Sequence, residues 1–303
     1  MRTLVTGATG FIGGRLMQAD HRALVRQPSG FAGEVVGDLR DRRSLEAACD
    51  GMEVVFHCAG HAHAFSSGST DIHHEVNHEG VKNLLAVAGQ TSVKRFVFLS
   101  SVKAMAEPGN ACVGEDWPGE PATVYGLAKQ AAEKAVLEAG AKYGMHVVNL
   151  RLAMVYGHGG RGNLERLARA IRSGWFPPLP ETRNRRSLVH VQDVVEAMRV
   201  VAGRDEANGK TYILADSKPY SSREIYEAIR IALGMSPSPP FTVPACFLRT
   251  AGQLNGRLNQ IVDRLIGSAC YSPARIESEL GWRAKIGLAE GLKEMLLTPG
   301  AVK

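Results

Sequence analysis

The chain has 303 residues, of which 45% are apolar and 22% charged, with a formal net charge of +6. This length accommodates one large domain or a large and a small one, and the composition excludes a disordered or fibrous protein. No run of about 18 apolar residues occurs, so we expect no membrane span. A glycine-rich segment begins at Gly7, which leaves no room for a signal peptide. The five cysteines show no Cys-x-x-Cys spacing, which predicts reduced thiols and a cytoplasmic protein.

The first predicted element is a strand that leads directly into a glycine-rich turn and a helix. Thr3–Val5 is a short apolar run typical of a buried parallel strand. The glycines of the turn and the first apolar residues of its helix are Gly7, Gly10, Phe11, Ile12 and Gly13. Strand, turn and helix in this order bring backbone N–H groups to one point. The segment therefore predicts a binding site for the diphosphate of a dinucleotide.

Alternating strands and helices follow as far as residue 155. The predicted strands are Arg22–Arg26, Glu34–Gly37, Val54–Cys58, Phe96–Leu99 and Val147–Leu150, and the predicted helices are Arg42–Cys49, Asp71–Gly89 and one that begins near Thr123. The crossover from Gly10 to Arg22 is short, so we expect a trimmed first helix. The alternation predicts an α/β fold with a doubly wound parallel Rossmann sheet, and residues 1–155 as the dinucleotide-binding domain.

Beyond Val155 the regular alternation of strands and helices ends. Proline and glycine cluster at Gly157–Gly162, Pro177–Pro180 and Pro237–Pro244, with short helices and one strand near Thr211–Leu214 between them. We interpret residues 156–303 mainly as a smaller C-terminal substrate-binding α/β lobe, with chain exchanged between the two parts near residues 187–200.

The end of the second strand bears on the choice of cofactor. An acidic residue there binds the ribose 2′-hydroxyl of NAD, whereas an arginine suits the 2′-phosphate of NADP. Arg26 and Gln27 occupy this place, and no acidic residue is near. NADP is therefore favoured, with NAD as the alternative, and an ordinary solvated arginine is the competing interpretation. Cys58, Ala59 and Gly60 end the fourth strand, where open parallel sheets bind their ligands.

Six of the ten histidines lie between His57 and His78, so a metal site has to be considered. Their spacings match no zinc pattern, and no cysteine or carboxylate set joins them, so we predict no metal. We expect His61 to lie on a loop at the sheet edge, in contact with substrate. His73 and His74 are expected on a helix surface.

Eight arginines lie between Arg151 and Arg186, against Glu165 and Glu181. Basic residues without interleaved aromatic residues are a weak case for a nucleic-acid partner, which is therefore disfavoured. The excess of positive charge in this stretch is explained either by a binding site for a phosphorylated small molecule or by a solvated helix face.

Tyr125 and Lys129 stand four residues apart in a helical pattern and so share one face of the helix. They follow a strand that ends at Ser100-Ser101. A lysine cation about 4 Å from a phenol would lower its pKa from about 10 to near 7, where general acid–base catalysis is effective. Ser101 would hydrogen-bond the same reacting oxygen. A surface tyrosine–lysine pair is the alternative.

Together with the glycine turn, these residues resemble the extended short-chain dehydrogenase/reductase superfamily, and in particular its nucleotide-sugar epimerases and reductases related to UDP-glucose 4-epimerase. The resemblance implies that Ser101, Tyr125 and Lys129 are catalytic, and that Tyr125 and Lys129 also bind the cofactor. It further implies cofactor contacts by Asp38, Leu39 and Asn77.

The same resemblance extends into the second half of the chain. Arg186 begins the segment Arg186–Asp193, in which the family's arginine binds the diphosphate of a UDP-sugar. Asn163 matches another diphosphate contact. A homodimer formed through Asp71–Gly89 and Pro121–Ala139 is also implied.

Several residues differ from those that the resembled dehydratases and epimerases carry at the matching positions, and these differences bear on which reaction the chain catalyses. Val102-Lys103 replace the Asp-Glu pair of the 4,6-dehydratases, so dehydration is disfavoured. Met105 and Met154 replace a tyrosine and an asparagine of many epimerases. The runs Pro177–Pro180 and Asn184–Ser187 resemble bacterial surface-polysaccharide enzymes that act on a UDP-4-ketohexose.

The leading hypothesis is therefore an NAD(P)-dependent epimerase or reductase acting at C4 of a UDP-hexose. An NADP-dependent reductase of a hydrophobic ketone and a non-catalytic cofactor-sensing protein of the same fold are the alternatives.

Overall fold

The computed structural model describes residues 1–61, 70–160, 162–174, 176–237, 250 and 265–297. The strands are β1 Thr3–Thr6, β2 Arg22–Val25, β3 Val35–Val36, β4 Val54–His57, β5 Arg95–Ser101, β6 Cys112–Val113, β7 His146–Leu152, β8 Met154–Tyr156, β9 Leu188–His190, β10 Lys210–Leu214 and β11 Cys270–Tyr271. The α-helices are α1 Gly13–Leu16, α2 Glu46–Cys49, α3 Thr70–His74, α4 Gly80–Ala88, α5 Val124–Tyr143, α6 Asn163–Arg172, α7 Val191–Gly203, α8 Ser222–Ala232, α9 Ala274–Leu280 and α10 Leu288–Leu297.

Seven strands form one parallel sheet in the order β3-β2-β1-β4-β5-β7-β10. After β3 the chain crosses to the other side of β1 and continues outward from β4. The strand order therefore reverses between β1 and β4, and in open α/β sheets ligands bind at such a point. The predicted doubly wound Rossmann sheet is confirmed.

The strand predicted near Thr211–Leu214 belongs to this sheet and not to the smaller lobe. As β10 it pairs with β7, with Tyr212 opposite Leu150. Tyr212, Ile213 and Leu214 are all fully buried. A continuous buried run of this kind is typical of a strand covered on both faces of a parallel sheet. The expectation that this strand lies in the smaller lobe was therefore wrong.

Helices cover both faces of the sheet. Neighbouring residues of a strand point to opposite faces, and Leu4 accordingly packs with α2, α4 and α5, whereas Val5 packs on the side of α1 and α7. Helix α7 comes from the second half of the chain and contacts β5 and β7. The division of the chain near residue 155 stays a prediction.

A third core lies outside the sheet. Tyr156 of β8 and Leu188 of β9 are fully buried there with residues of α6, α8 and α10. Strand β8 begins two residues after β7 ends, so this core starts at the carboxyl end of the main sheet. In the part of the chain described here, no helix combines the length and apolar character needed to cross a bilayer.

Strands β6 and β11 form a separate parallel pair in which Cys112 lies opposite Cys270. Their Cα atoms are 4.5 Å apart and their sulfur atoms form a disulfide, so the expectation of reduced thiols is wrong for this pair. The two cysteines are 158 residues apart in the chain, and only the strand pairing brings them together. Cys49 and Cys58 are free thiols, and Cys246 lies outside the described residues.

Candidate active site

The glycine turn closes tightly against the end of β4. Gly7 has a φ of +70°, and a Cβ on it would lie 2.7 Å from the backbone nitrogen of Ala59. A Cβ on Gly13 would collide with the Gly7 carbonyl, and Gly10 donates to that same carbonyl at 2.8 Å. Side chains are excluded at this point, so backbone N–H groups can approach a phosphate directly. The turn therefore fits the diphosphate of a dinucleotide, and α1 is a single turn, as the short crossover predicted.

The predicted adenosine end of the site lies at β2 and β3. Arg26 follows β2 and is exposed. The Asp38 carboxylate accepts hydrogen bonds from Arg40, whose Nη2 is 2.7 Å away, and Leu39 is buried. The bond to Arg40, with the added charge of Arg26, lowers the pKa of Asp38 to about 2. Arg40 was missed from the sequence, although its position beside Asp38 was a usable signal.

The other predicted cofactor residues lie at the end of β4 and on the helical stretch that follows it. Residues 70–88 form one helical stretch, as predicted, but a π-helical turn, Glu75–Glu79, interrupts it at Asn77. Buried Asn77 accepts from the backbone N–H of His61 at 2.7 Å and donates to its carbonyl at 2.9 Å. A Cβ on Gly60 would lie 3.1 Å from Asn77 Oδ1 and 3.5 Å from Lys129 Nζ, so these two side chains converge there. π-helical turns often occur at functional sites.

The three predicted catalytic residues meet at the carboxyl end of β5. Thr123 caps α5 by accepting from the Gly126 N–H at 3.0 Å, which places Tyr125 in the first turn of the helix. The Ser101 hydroxyl lies beside the Tyr125 phenol and acts to lower its pKa. Lys129 is buried and donates from Nζ to the Leu99 carbonyl at 2.8 Å.

The expected effect of Lys129 on Tyr125 is wrong. Burial raises the pKa of Tyr125 above its ordinary value, and the nearby Ser101 side chain opposes this rise only in part. The Lys129 ammonium instead faces the Leu99 carbonyl and lies 4.5 Å from the centroid of the Phe98 ring. Burial lowers the pKa of Lys129 to about 8, while Glu133 acts to raise it. The four-residue spacing therefore predicted that Tyr125 and Lys129 share a helix face, but it could not predict the direction of the Lys129 ammonium.

A buried ion pair lies behind Lys129 and was not predicted. Glu133 accepts from Arg151 Nη2 at 2.7 Å and Nε at 3.0 Å, and from the Ser100 hydroxyl at 2.5 Å. Arg151 Nη1 also donates to the Glu115 carbonyl at 2.8 Å. Because Ser100 is bound to Glu133, the neighbouring Ser101 is the serine that meets Tyr125. The only feature of the sequence that indicated a role for Glu133 near Lys129 was its position four residues later, on the same face of the helix.

The predicted substrate residues are distributed over the two parts of the molecule. His61 lies next to Asn77 at the end of β4, as described above. Asn163 is exposed and begins α6. Arg186 is largely buried, its guanidinium donates to the Gly267 carbonyl at 3.0 Å, and burial lowers its pKa.

The arginine-rich stretch divides into structural and solvated residues. Arg151 is bound to Glu133, and Arg185 donates to the Asn110 carbonyl at 2.7 Å. Arg166, Arg169 and Arg172 lie on α6 and are all exposed, which favours the solvated-face interpretation for this helix.

Two histidines lie in surroundings that the sequence did not predict. His57 is fully buried, bonds Thr6 Oγ1 at 2.7 Å, and has its pKa lowered to about 3 by burial. His73 was expected on a helix surface, but it is buried against Tyr125 because its side of the helix faces α5.

One group with potential metal ligands occurs in the described ranges, namely His74, His78 and Glu79, whose ligand atoms lie within 4.8 Å of one another. The Lys82 ammonium already binds both oxygens of Glu79 at 3.0 Å, and we assign no metal to this group.

Asp216, which follows β10, makes stability depend on pH. Its side chain is buried, and burial raises its pKa from 3.8 to about 7. Between these two values the folded protein binds more protons at this carboxyl than the unfolded chain does. Its contribution to the free energy of unfolding therefore falls as pH rises from about 4 to about 7.

Asp216→Asn is expected to be more stable than the wild type by about 1–4 kcal/mol at pH 8, with little difference near pH 4. Urea unfolding at both pH values measures the difference. Asp20→Asn, at an exposed position, is the matched control. A variant no more stable than the wild type at pH 8 would contradict the charge being unfavourable in the folded state.

Comparison with known proteins places this geometry in a family. Residues 3–215 match the NAD dependent epimerase/dehydratase family. A UDP-glucose 4-epimerase of Vibrio cholerae is 32% identical, with 96% of this chain and 93% of that protein covered. The N-acetyl-alpha-D-glucosaminyl-diphospho-ditrans,octacis-undecaprenol 4-epimerase of Escherichia coli O157:H7 is 27% identical, with 87% of this chain and 80% of that protein covered.

Among solved structures, the UDP-glucose 4-epimerase of Thermus thermophilus in complex with NAD superimposes with a TM-score of 0.76 at 26% identity, and each chain is covered completely. The seven-stranded parallel sheet with flanking helices agrees with these matches. The chain is therefore a member of the NAD dependent epimerase/dehydratase family, and an enzyme of the extended short-chain dehydrogenase/reductase type.

Proposed function

We propose that this enzyme is an NAD(P)-dependent epimerase or 4-reductase that acts by hydride transfer at C4 of a UDP-hexose. The observation that carries the proposal is the meeting of the Tyr125 phenol with the Ser101 hydroxyl at the end of β5, next to buried Lys129. The relatives named above, which act on nucleotide-linked or lipid-linked sugars by name, support the substrate class.

Each catalytic side chain has a distinct task at the C4 oxygen. A nicotinamide cofactor held in this site would supply or accept the hydride. Tyr125 gives a proton to this oxygen when a ketone is reduced and takes one when a carbinol is oxidised. Because the pKa of Tyr125 is raised, its phenol is protonated at neutral pH and is ready for the reductive direction. Ser101 hydrogen-bonds the same oxygen, and Lys129, whose Nζ lies 3.5 Å from where a Cβ on Gly60 would be, acts on the bound cofactor.

The proposal assigns the remaining site residues by their places in the fold. The turn residues Gly7, Gly10, Phe11, Ile12 and Gly13, together with Arg26, Asp38, Leu39, Cys58, Ala59, Gly60 and Asn77, bind the cofactor. His61, Asn163 and Arg186 bind the nucleotide sugar, with the Arg186 guanidinium on its diphosphate. A guanidinium suits this task because it binds phosphate oxygens in pairs.

The function is tested by following the near-ultraviolet absorbance of reduced nicotinamide with UDP-hexoses and UDP-4-ketohexoses. A reductase consumes NADPH with a UDP-4-ketohexose, whereas an epimerase interconverts two UDP-hexoses of opposite configuration at C4 without net redox change, which analysis of the sugar products detects. Arg186→Ala should raise KM for the UDP-sugar at least tenfold if one charge-assisted bond to the diphosphate is lost. Absence of both turnover and cofactor binding would refute the proposal. Unchanged UDP-sugar binding in Arg186→Ala would favour the reductase of a hydrophobic ketone.

The choice of NADP over NAD is the finer part of the proposal, and it depends on Arg26. Arg26→Asp is expected to weaken NADPH binding by at least about tenfold and to leave NADH binding unchanged or stronger, since a carboxylate repels the 2′-phosphate and accepts from a 2′-hydroxyl. Fluorescence titration with both nucleotides measures this. Arg283→Asp, a charge reversal at an exposed position, is the control. Equal loss for both nucleotides would contradict the assignment.

The proposal includes a homodimer, a cytoplasmic location and a role in surface-polysaccharide synthesis. Val124 and Leu127 are large apolar residues exposed on α5, 42% and 45%, and fit a helix-to-helix contact with a second copy. Light scattering that shows only monomer would refute the dimer. In a reducing cytoplasm the Cys112–Cys270 bond would be open to reduction by cellular thiols.

A further inference from the structure

The Tyr125 ring packs against His73, a residue that has no part in the chemistry proposed above. The rings of His73 and Tyr125 meet edge to face, with centroids 5.8 Å apart and an angle of 73° between their planes. This is a favoured geometry for aromatic rings. His73 is only 9% exposed, so its ring has little freedom to leave this contact.

Asn77 determines the orientation and the tautomer of the His73 ring. The backbone N–H of His61 must meet the oxygen of the Asn77 amide, and the His61 carbonyl must meet its nitrogen, so the amide can take only one orientation. The Asn77 nitrogen also lies 3.3 Å from His73 Nδ1. Since this nitrogen is a donor, His73 Nδ1 accepts, and the ring proton lies on Nε2.

These contacts form a continuous chain from the backbone at the end of β4 to the phenol. The His61 backbone fixes Asn77, Asn77 fixes His73, and the His73 ring lies against Tyr125. Tyr125 is the second residue of α5, and helical side chains pack over the preceding turn of their helix, which Tyr125 lacks. Its ring orientation therefore depends on side-chain contacts more than it would in the middle of the helix.

We propose that His73 is a positioning residue that holds the Tyr125 phenol in its catalytic orientation. The inference rests on the proposed catalytic role of Tyr125. A proton is transferred efficiently only if the phenol oxygen keeps its place, and a displacement of about 1 Å can lower the rate by about 100-fold. His73 is thus expected to act on kcat and not on binding of substrate or cofactor.

Three variants separate the parts of this contact. His73→Ala removes both the ring and the acceptor, and should lower kcat by about 10- to 100-fold while KM and cofactor Kd stay within about threefold. His73→Phe keeps the ring but not the acceptor, and should give an intermediate kcat. His74→Ala, at the exposed neighbouring position, should leave kcat unchanged.

A spectroscopic measurement makes the test independent of the substrate. Protein labelled with meta-fluorotyrosine gives a fluorine resonance for Tyr125, which is assigned by its absence in Tyr125→Phe. We expect this line to shift and broaden in His73→Ala but not in His74→Ala, because the ring loses a fixed neighbour.

The possible outcomes distinguish the inference from the function on which it rests. Unchanged kcat in His73→Ala, a rise in KM or Kd at constant kcat, or an equal loss in His74→Ala would each overturn the positioning role. If the wild type turns over no UDP-sugar, the proposed function fails. The fluorine resonance of Tyr125 then tests the contact between His73 and Tyr125 by itself, and an unchanged resonance in His73→Ala would overturn the positioning role.

Discussion

Tyr125→Phe is expected to lower kcat by about 10²- to 10⁴-fold, which is the usual contribution of a positioned general acid–base. The substitution removes one oxygen atom and keeps the ring that packs against His73. Only the interaction of the phenol with the Ser101 side chain is lost, and such an interaction contributes at most about 1 kcal/mol to stability. Cofactor Kd and the free energy of unfolding should therefore stay close to those of the wild type.

Single-turnover measurements of the hydride step, with cofactor binding measured in parallel, test this expectation. Tyr143→Phe, at the far end of the same helix, is the matched control and should keep wild-type activity. If the activity of Tyr125→Phe were comparable with the wild type, the phenol would not move the proton. The assignments of Ser101 and Lys129 around it would then also lose their basis.

Glu133→Ala is expected to destabilise the protein by about 3–5 kcal/mol, the usual effect of removing one partner of a buried ion pair. The Arg151 guanidinium would lose its carboxylate in a place where its side chain is only 13% exposed, and Ser100 would lose its acceptor. The change also removes a negative charge that raises the pKa of Lys129. A smaller share of Lys129 would then be protonated at neutral pH, so activity should fall as well as stability.

Urea unfolding measures the loss of stability, and Glu138→Ala, at an exposed position of the same helix, is the control. The double variant Glu133→Leu with Arg151→Met should recover most of the loss, because it removes both charges and fills the volume with apolar atoms. A loss below about 1 kcal/mol in Glu133→Ala would mean that water or another group replaces the carboxylate.

Local patterns in the sequence were sufficient for the fold and led to the prediction of the central residues. The strand and glycine turn at residues 3–13 depend on neighbouring residues, and the same is true of the spacing between Tyr125 and Lys129. Strand and helix periods and the special backbone of glycine are properties of short segments, so they can be read without knowing what packs around them.

The tertiary structure alone decided which distant residues meet and how their surroundings change their chemistry. It joined Cys112 to Cys270, bonded Arg151 to Glu133 and set β10 at the edge of the main sheet. It also removed much of the water around the Tyr125 side chain, so that its pKa is raised where the spacing had suggested a lowering. Pairing across long stretches of chain and the loss of water around a buried group depend on the whole packed molecule, and no short segment contains that information.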